Sequence, residues 1–193
     1  MIPLHFVGDG QRDEAMVPLF VEAILGQPIR AEFRPWSRLH GAGRGYDKKL
    51  LYAVLQAKDE NACGLIATID ADKDGKQRID PLRAGRESHR QKYPEIAIAV
   101  GCADPNHEAW LMDDQEAVRA ALSIPHDQSI PKSKRPKEDL DKLIDEWMQG
   151  RDRIDLLKDI TRQVRMERCH RRAETGYQAF VDDVRSEFAS LLP

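Results

Sequence analysis

ACGLIATIDADKDG, residues 62–75, is nearly all apolar from Ala62 to Ile69 and then turns acidic at Asp70, Asp72 and Asp74. An apolar run of that length, without polar alternation, suits a strand buried on both faces, as in a parallel sheet covered by helices. The stretch EIAIAVGCADP, residues 95–105, repeats the pattern, with Glu95 to Val100 as the strand and an acidic, proline-containing end. Between the two, Pro81 to Lys92 reads as a helix with Pro81 near its first turn, and Glu108 to Leu122 reads as one further helix. Upstream, Leu4, Phe6 and Val7 form a strand before a Gly-Asp-Gly turn, Asp13 to Leu25 has helical apolar spacing, Ile29 to Trp36 alternates like a half-exposed strand, and Tyr46 to about Lys58 is helical.

The order βαβαβαβα predicts an α/β fold, a mainly parallel sheet flanked by helices. In such sheets ligands gather beyond the carboxyl ends of the strands, where residues 8–14, 70–74 and 104–108 all fall. Ser123 to Lys137 holds Pro125, Pro131 and Pro136 and no periodicity, so it reads as a loop. Helical spacing returns from Glu138 to Leu192 through Leu140, Leu143, Ile144 and Trp147, then Phe180, Val184, Phe188 and Leu191. The expectation is an α/β domain over residues 1–122, with residues 123–193 forming a loop and a C-terminal helical extension packed on it.

Composition supports a globular chain: of 193 residues 41% are hydrophobic and 33% charged. The longest apolar stretches, Leu65 to Ile69 and Ile96 to Val100, fall far short of the roughly 20 residues of a membrane span. The amino terminus lacks the basic start and apolar segment of a signal peptide, so a cytoplasmic location and no membrane partner are expected. Cys63, Cys102 and Cys169 are too few and too scattered for a disulfide framework or a zinc knuckle, and His170 beside Cys169 has no further ligand nearby. A net charge of −3 removes a bulk electrostatic drive toward nucleic acid and leaves only local basic grooves.

Two carboxylates two residues apart in extended chain point the same way, so Asp70 and Asp72 share one site if the strand continues through them. Held together they repel, and a hard divalent cation such as Mg²⁺ or Mn²⁺ relieves that. D-x-D-x-D-G also opens an EF-hand loop, but the twelfth position from Asp70 is Pro81 where a bidentate glutamate is needed. An acidic turn that only solvates a strand end remains the plain alternative. A second acidic cluster, Asp9, Asp13 and Glu14, follows the first strand at the same end of the sheet and either completes the metal shell or sits at a helix start where carboxylates favour the macrodipole.

These motifs resemble the Toprim fold, the metal-binding domain of topoisomerases, primases and OLD-family nucleases. D-G-Q-R-D-E, residues 9–14, is similar to the family's E-G-x-x-D-E, with Asp9 where the family has glutamate, and Asp70-Ala71-Asp72 matches its D-x-D. Asn106 to Leu111, NHEAWL, resembles the E-x-W segment of Toprim-like proteins encoded beside AAA- or ABC-type ATPases in antiphage systems. The resemblance covers residues 1–122 and implies a Toprim-like fold, metal held by Asp70, Asp72, Asp9 and Asp13, catalysis through Asp9, Glu14 or Glu108, and an ATPase partner. Trp110 reads as core.

Arg34, Arg38, His40, Arg44, Lys48 and Lys49 surround Gly41, Gly43 and Gly45, a loop suited to phosphates. Arg38, Arg44, Lys48 and Lys49 are the expected nucleic-acid contacts. No Walker A pattern occurs, so any ATPase is a partner. Basic stretches at Lys132 to Lys137 and Arg162 to Arg172 read as solvated surface or phosphate contacts. The function expected is a Mg²⁺- or Mn²⁺-dependent nuclease acting on DNA or RNA, the alternative being a noncatalytic module for the ATPase with a degenerate site.

Overall fold

A computed structural model describes residues 1–39, 45–72, 75–131, 134–170 and 175–192. Four strands form one sheet: β1 (Ile2–Gly8), β2 (Ile29–Pro35), β3 (Gly64–Asp70) and β4 (Ala97–Ala103), in the order β2-β1-β3-β4 with every pair parallel. Parallel neighbours need crossovers, supplied by α1 (Gln11–Leu25), α2 (Tyr46–Asp59) and α3 (Gly75–Lys92). The expected α/β class is the one observed.

The pleat sorts each strand between two cores. Leu4 and Phe6 of β1, Ile66 of β3 and Ala99 and Ala103 of β4 face a cluster that includes Met16, Phe20 and Val21 of α1. Val7, Leu65, Ala67, Ile69, Ile98, Val100 and Cys102 face the opposite cluster, closed by Leu50, Ala53, Val54 and Ala57 of α2 and Ile79 and Leu82 of α3. Period-2 alternation with both faces apolar explains the continuous apolar runs.

Three expected boundaries shift. The strands end at Asp70 and Ala103, so the 95–100 strand sits further along the chain. Helix α3 begins at Gly75 and carries Pro81 in its interior, not near its first turn. Pro81 donates no bond to the Gln77 carbonyl and its ring crowds that carbonyl, and burial of Ile79 and Leu82 on either side offsets the loss. The single helix expected over 108–122 is two, α4 (Glu108–Asp113) and α5 (Gln115–Leu122), because Asp114 leaves helical backbone and its carboxylate accepts from Ala117 N at 3.1 Å and Arg165 N at 2.9 Å.

The C-terminal extension forms α6 (Pro136–Trp147), α7 (Arg153–Gln163) and α8 (Tyr177–Glu187). Leu140, Ile144, Leu156, Ile160, Phe180 and Val184 join the same apolar cluster as α1 and the sheet. Helix α8 lies against β4, where a Cβ on Gly101 would fall 2.6 Å from the Phe180 ring and Asp183 accepts the Val100 N–H at 2.7 Å. Strand β2 pairs with β1 alone and is largely exposed. Among the described residues no helix is long and apolar enough to cross a membrane.

Candidate metal centre

Three loops leave the carboxyl ends of β1, β3 and β4 side by side, and each carries one acidic or imidazole group inward. Asp70 is the last residue of β3, Asp13 lies in the first turn of α1, and His107 immediately precedes α4. One ligand atom from each lies within 4.8 Å of the others. His107 Nδ1 sits 2.9 Å from Asp70 Oδ1 and 3.1 Å from Asp13 Oδ1, and the His107 backbone N–H donates to Asp70 Oδ1 at 3.2 Å. Asp9 flanks the group: its backbone N–H donates to Asp13 Oδ2 at 2.6 Å and its own Oδ2 accepts the Asp70 N–H at 3.1 Å.

The absence of a side chain at Gly8 permits this approach, since a Cβ there would meet Asp13 Cβ and Oδ2 at 2.9 Å and the Phe33 ring at 3.0 Å. The His107 ring is fully buried and packs edge-on against Trp110, with centroids 4.9 Å apart. Neither of its ring nitrogens makes a well-aligned hydrogen bond, although Nδ1 is at ionic contact with two carboxylates. A buried imidazole nitrogen facing two carboxylates without a directed partner fits a cation ligand as well as it fits an ion pair.

Burial alone would lower the His107 pKa, but the Asp13 and Asp70 carboxylates outweigh it and hold the imidazole well above its usual value. Burial would likewise raise Asp13, yet the His107 charge and hydrogen bonds from the Asp9 and Gly10 amides bring it below the usual carboxylate range. Asp9 is raised, first by burial and then by the charges of Asp13 and Asp70, against the opposing hydrogen bond from the Asp70 amide. Tyr46, packed edge-on to Trp36 at 5.3 Å, is raised first by burial and then by the Asp9 charge.

Asp9, Asp13 and Asp70 therefore come together, whereas Asp72 stands apart. The strand stops at Asp70 and Asp72 adopts left-handed backbone, φ 52°, so the extended geometry that would align the two carboxylates is absent. The Asp72 side chain is 64% exposed and pairs with Arg78 at 2.8 Å, while Arg78 also donates to the Asp70 carbonyl at 2.7 Å. Glu108 points away from the group and meets Arg12 Nη1 at 2.7 Å; Arg12 continues to Asp141 of α6 at 2.9 Å. Glu14 is exposed on α1 and faces β2 and α7 instead.

The expected phosphate contacts also divide. Arg38 is exposed on the groove beside Glu14. Lys48 is exposed on α2, and Lys49 donates to the Trp36 carbonyl at 3.3 Å. Arg44 lies outside the described residues. Trp110 is wholly buried, its indole donating to Thr175 O at 3.1 Å, as its reading as core requires. His107 is absent from the residues the sequence nominates, although it follows GCADP, the carboxyl end of a strand, where site residues collect.

No family model matches the chain, and no curated protein gives a significant match. Among solved structures, the chain is similar to the C-terminal region of the Burkholderia pseudomallei OLD protein, with 14% identity, a TM-score of 0.44, and coverage of 95% of this chain and 96% of that one.

Proposed function

We propose that this chain is a Toprim-like, divalent-metal-dependent phosphodiester hydrolase acting on nucleic acid, and that it serves as the nuclease component of an antiphage system with an AAA- or ABC-type ATPase. The observation that supports this reading is the convergence of Asp13, Asp70 and His107 at the carboxyl ends of three parallel strands. Asp13 and Asp70 would hold the ion through oxygen and His107 through Nδ1. Two carboxylates with one imidazole suit Mn²⁺ better than Mg²⁺, which prefers an all-oxygen shell. When bound, the ion would polarise a phosphate oxygen and offset its charge.

Asp9, whose carboxylate lies beside these ligands and accepts the Asp70 N–H, would take a proton from an attacking water. Arg78, anchored on the Asp70 carbonyl, fixes the β3 end and brings a cation within reach of a phosphate. Glu108, sealed against Arg12, holds α1 and α4 in place.

The purified chain should nick plasmid DNA or cleave RNA with Mn²⁺, and chelator or Asp70→Asn should abolish it. A second reading, a noncatalytic module for the ATPase, is favoured by His107 itself: its imidazole, held well above its usual pKa, offsets one of the two carboxylate charges without an added ion. Tight binding to an ATPase encoded beside the chain, with no cleavage under any divalent ion, would select that reading.

A further inference from the structure

Two cavities flank the acidic centre, and their charges differ. One, of about 670 Å³, opens at Asp104 and Pro105 and is lined by Asp113, Asp114 and Glu116 together with Lys134, Arg168 and His170, so its charge is mixed with acidic groups in excess. The other, of about 900 Å³, begins at Gly10 beside the acidic centre and runs between the open edge of β2 and the face of α7. Arg34, Arg38, Lys158 and Arg162 line it against only Glu14 and Glu32.

Those cations are weakly committed elsewhere. Lys158 meets Asp155 at 3.5 Å and Arg162 meets Asp159 at 2.9 Å, both pairs one turn apart on the surface of α7, and Arg34 meets Glu60 at 3.6 Å. Exposed pairs of this kind contribute about 0–1 kcal/mol, so a phosphate can replace the partner at little cost. Arg38 has no ion-pair partner among the described residues. Phe33, half-buried on the same wall, offers an apolar surface between the charges.

We propose that this groove seats a single-stranded nucleic-acid segment leading to the acidic centre, with Arg38 on one wall and Lys158 and Arg162 of α7 on the other contacting its phosphates. A volume near the roughly 300–1,000 Å³ of small-molecule sites admits a few nucleotides and excludes the body of a duplex. Helix α7 thus forms one wall of the substrate path. This inference rests on the nuclease reading for its direction, but the binding it describes requires no chemistry.

The test is fluorescence anisotropy of the full chain with labelled twelve-nucleotide oligo-dT and oligo-U in chelator, so that no cleavage intervenes. Arg38→Glu, and separately the pair Lys158→Ala and Arg162→Ala, should weaken binding at least about tenfold at low salt and flatten the salt dependence by about 0.7 per lost phosphate contact. Lys142→Glu, on the exposed face of α6, should bind as the parent does. The proposal is overturned if the parent binds neither oligonucleotide, if both groove variants retain parental affinity and slope, or if polyglutamate competes as well as the oligonucleotides do. Strand binding in the groove by a chain that never cleaves would remove the nuclease reading and leave the groove standing; cleavage with unaffected groove variants would do the reverse.

Discussion

The Arg12 guanidinium meets the nearly buried Glu108 carboxylate at 2.7 Å and, through its other nitrogen, Asp141 at 2.9 Å, so the starts of α1 and α4 and the middle of α6 are tied at one point. Removing one partner of such a pair strands a charge that burial penalises. Because Arg12 is itself partly exposed, Arg12→Ala should cost about 2–3 kcal/mol in urea unfolding, and Glu108→Gln about 1 kcal/mol. Metal affinity should survive Glu108→Gln, checked by Mn²⁺ titration; its loss would return Glu108 to the site.

In chelator, stability should fall at both ends of the pH range. Asp13 sits below its usual 3.8, so its contribution is present above that value and is lost as acid protonates it in the folded state. His107 sits well above its usual 6.5, so its contribution is full below about 6.5 and disappears as pH rises through the folded value. Asp9, raised, opposes Asp13 in the acidic range and softens that limb. Urea midpoints from pH 3 to 10 should show the plateau, and His107→Gln should erase the alkaline fall and, because the His107 charge helps hold Asp13 low, weaken the acidic one.

Left-handed backbone at Asp72 makes glycine the clean replacement. Asp72→Gly removes the carboxylate while relieving the φ of 52°, and should change stability by no more than about 1 kcal/mol. If Asp72 assists the ion only through Arg78, Mn²⁺ affinity should fall less than tenfold, against at least about a hundredfold for Asp70→Asn. Equal losses would make Asp72 a direct ligand.

Gly8→Ala inserts a methyl 2.9 Å from Asp13 and 3.0 Å from Phe33. Relief must come from a shift of Asp13, since β1 is fixed by β2 and β3 on either side. The variant should lose about 1–3 kcal/mol of stability and lose Mn²⁺ binding more than tenfold, read by thermal unfolding and titration. Unchanged binding would show that Asp13 is not needed.

The sheet was legible because its central strands are buried on both faces: Leu65 to Ile69 carries only Thr68 as a polar residue, Ile96 to Val100 carries none, and the acidic residues follow at the strand ends. Asp9, Asp13 and Asp70 converge because parallel strands put those ends together, which topology alone dictates. What period and spacing cannot carry is local backbone. Asp72 turns left-handed, so the alternation argument fails two residues past the strand, and Asp114 breaks a helix that its apolar spacing would continue. Glu108 and His107 are adjacent in sequence but face different partners, Arg12 on one side and Asp13 and Asp70 on the other. Only the side-chain geometry separates them.

The Asp183 carboxylate on the Val100 amide gives the sheet a polarity that its strand order does not. On that margin an incoming chain meets an occupied donor and a packed helix, whereas the β2 margin, beyond the Ile29 N–H held by Glu22, faces the open groove. Ladder extension can therefore proceed from one side only. A second copy joined margin to margin through β2 would consume both open margins and leave no template for a third, and it would also cover the groove, so strand pairing there and entry of a nucleic-acid segment would exclude one another.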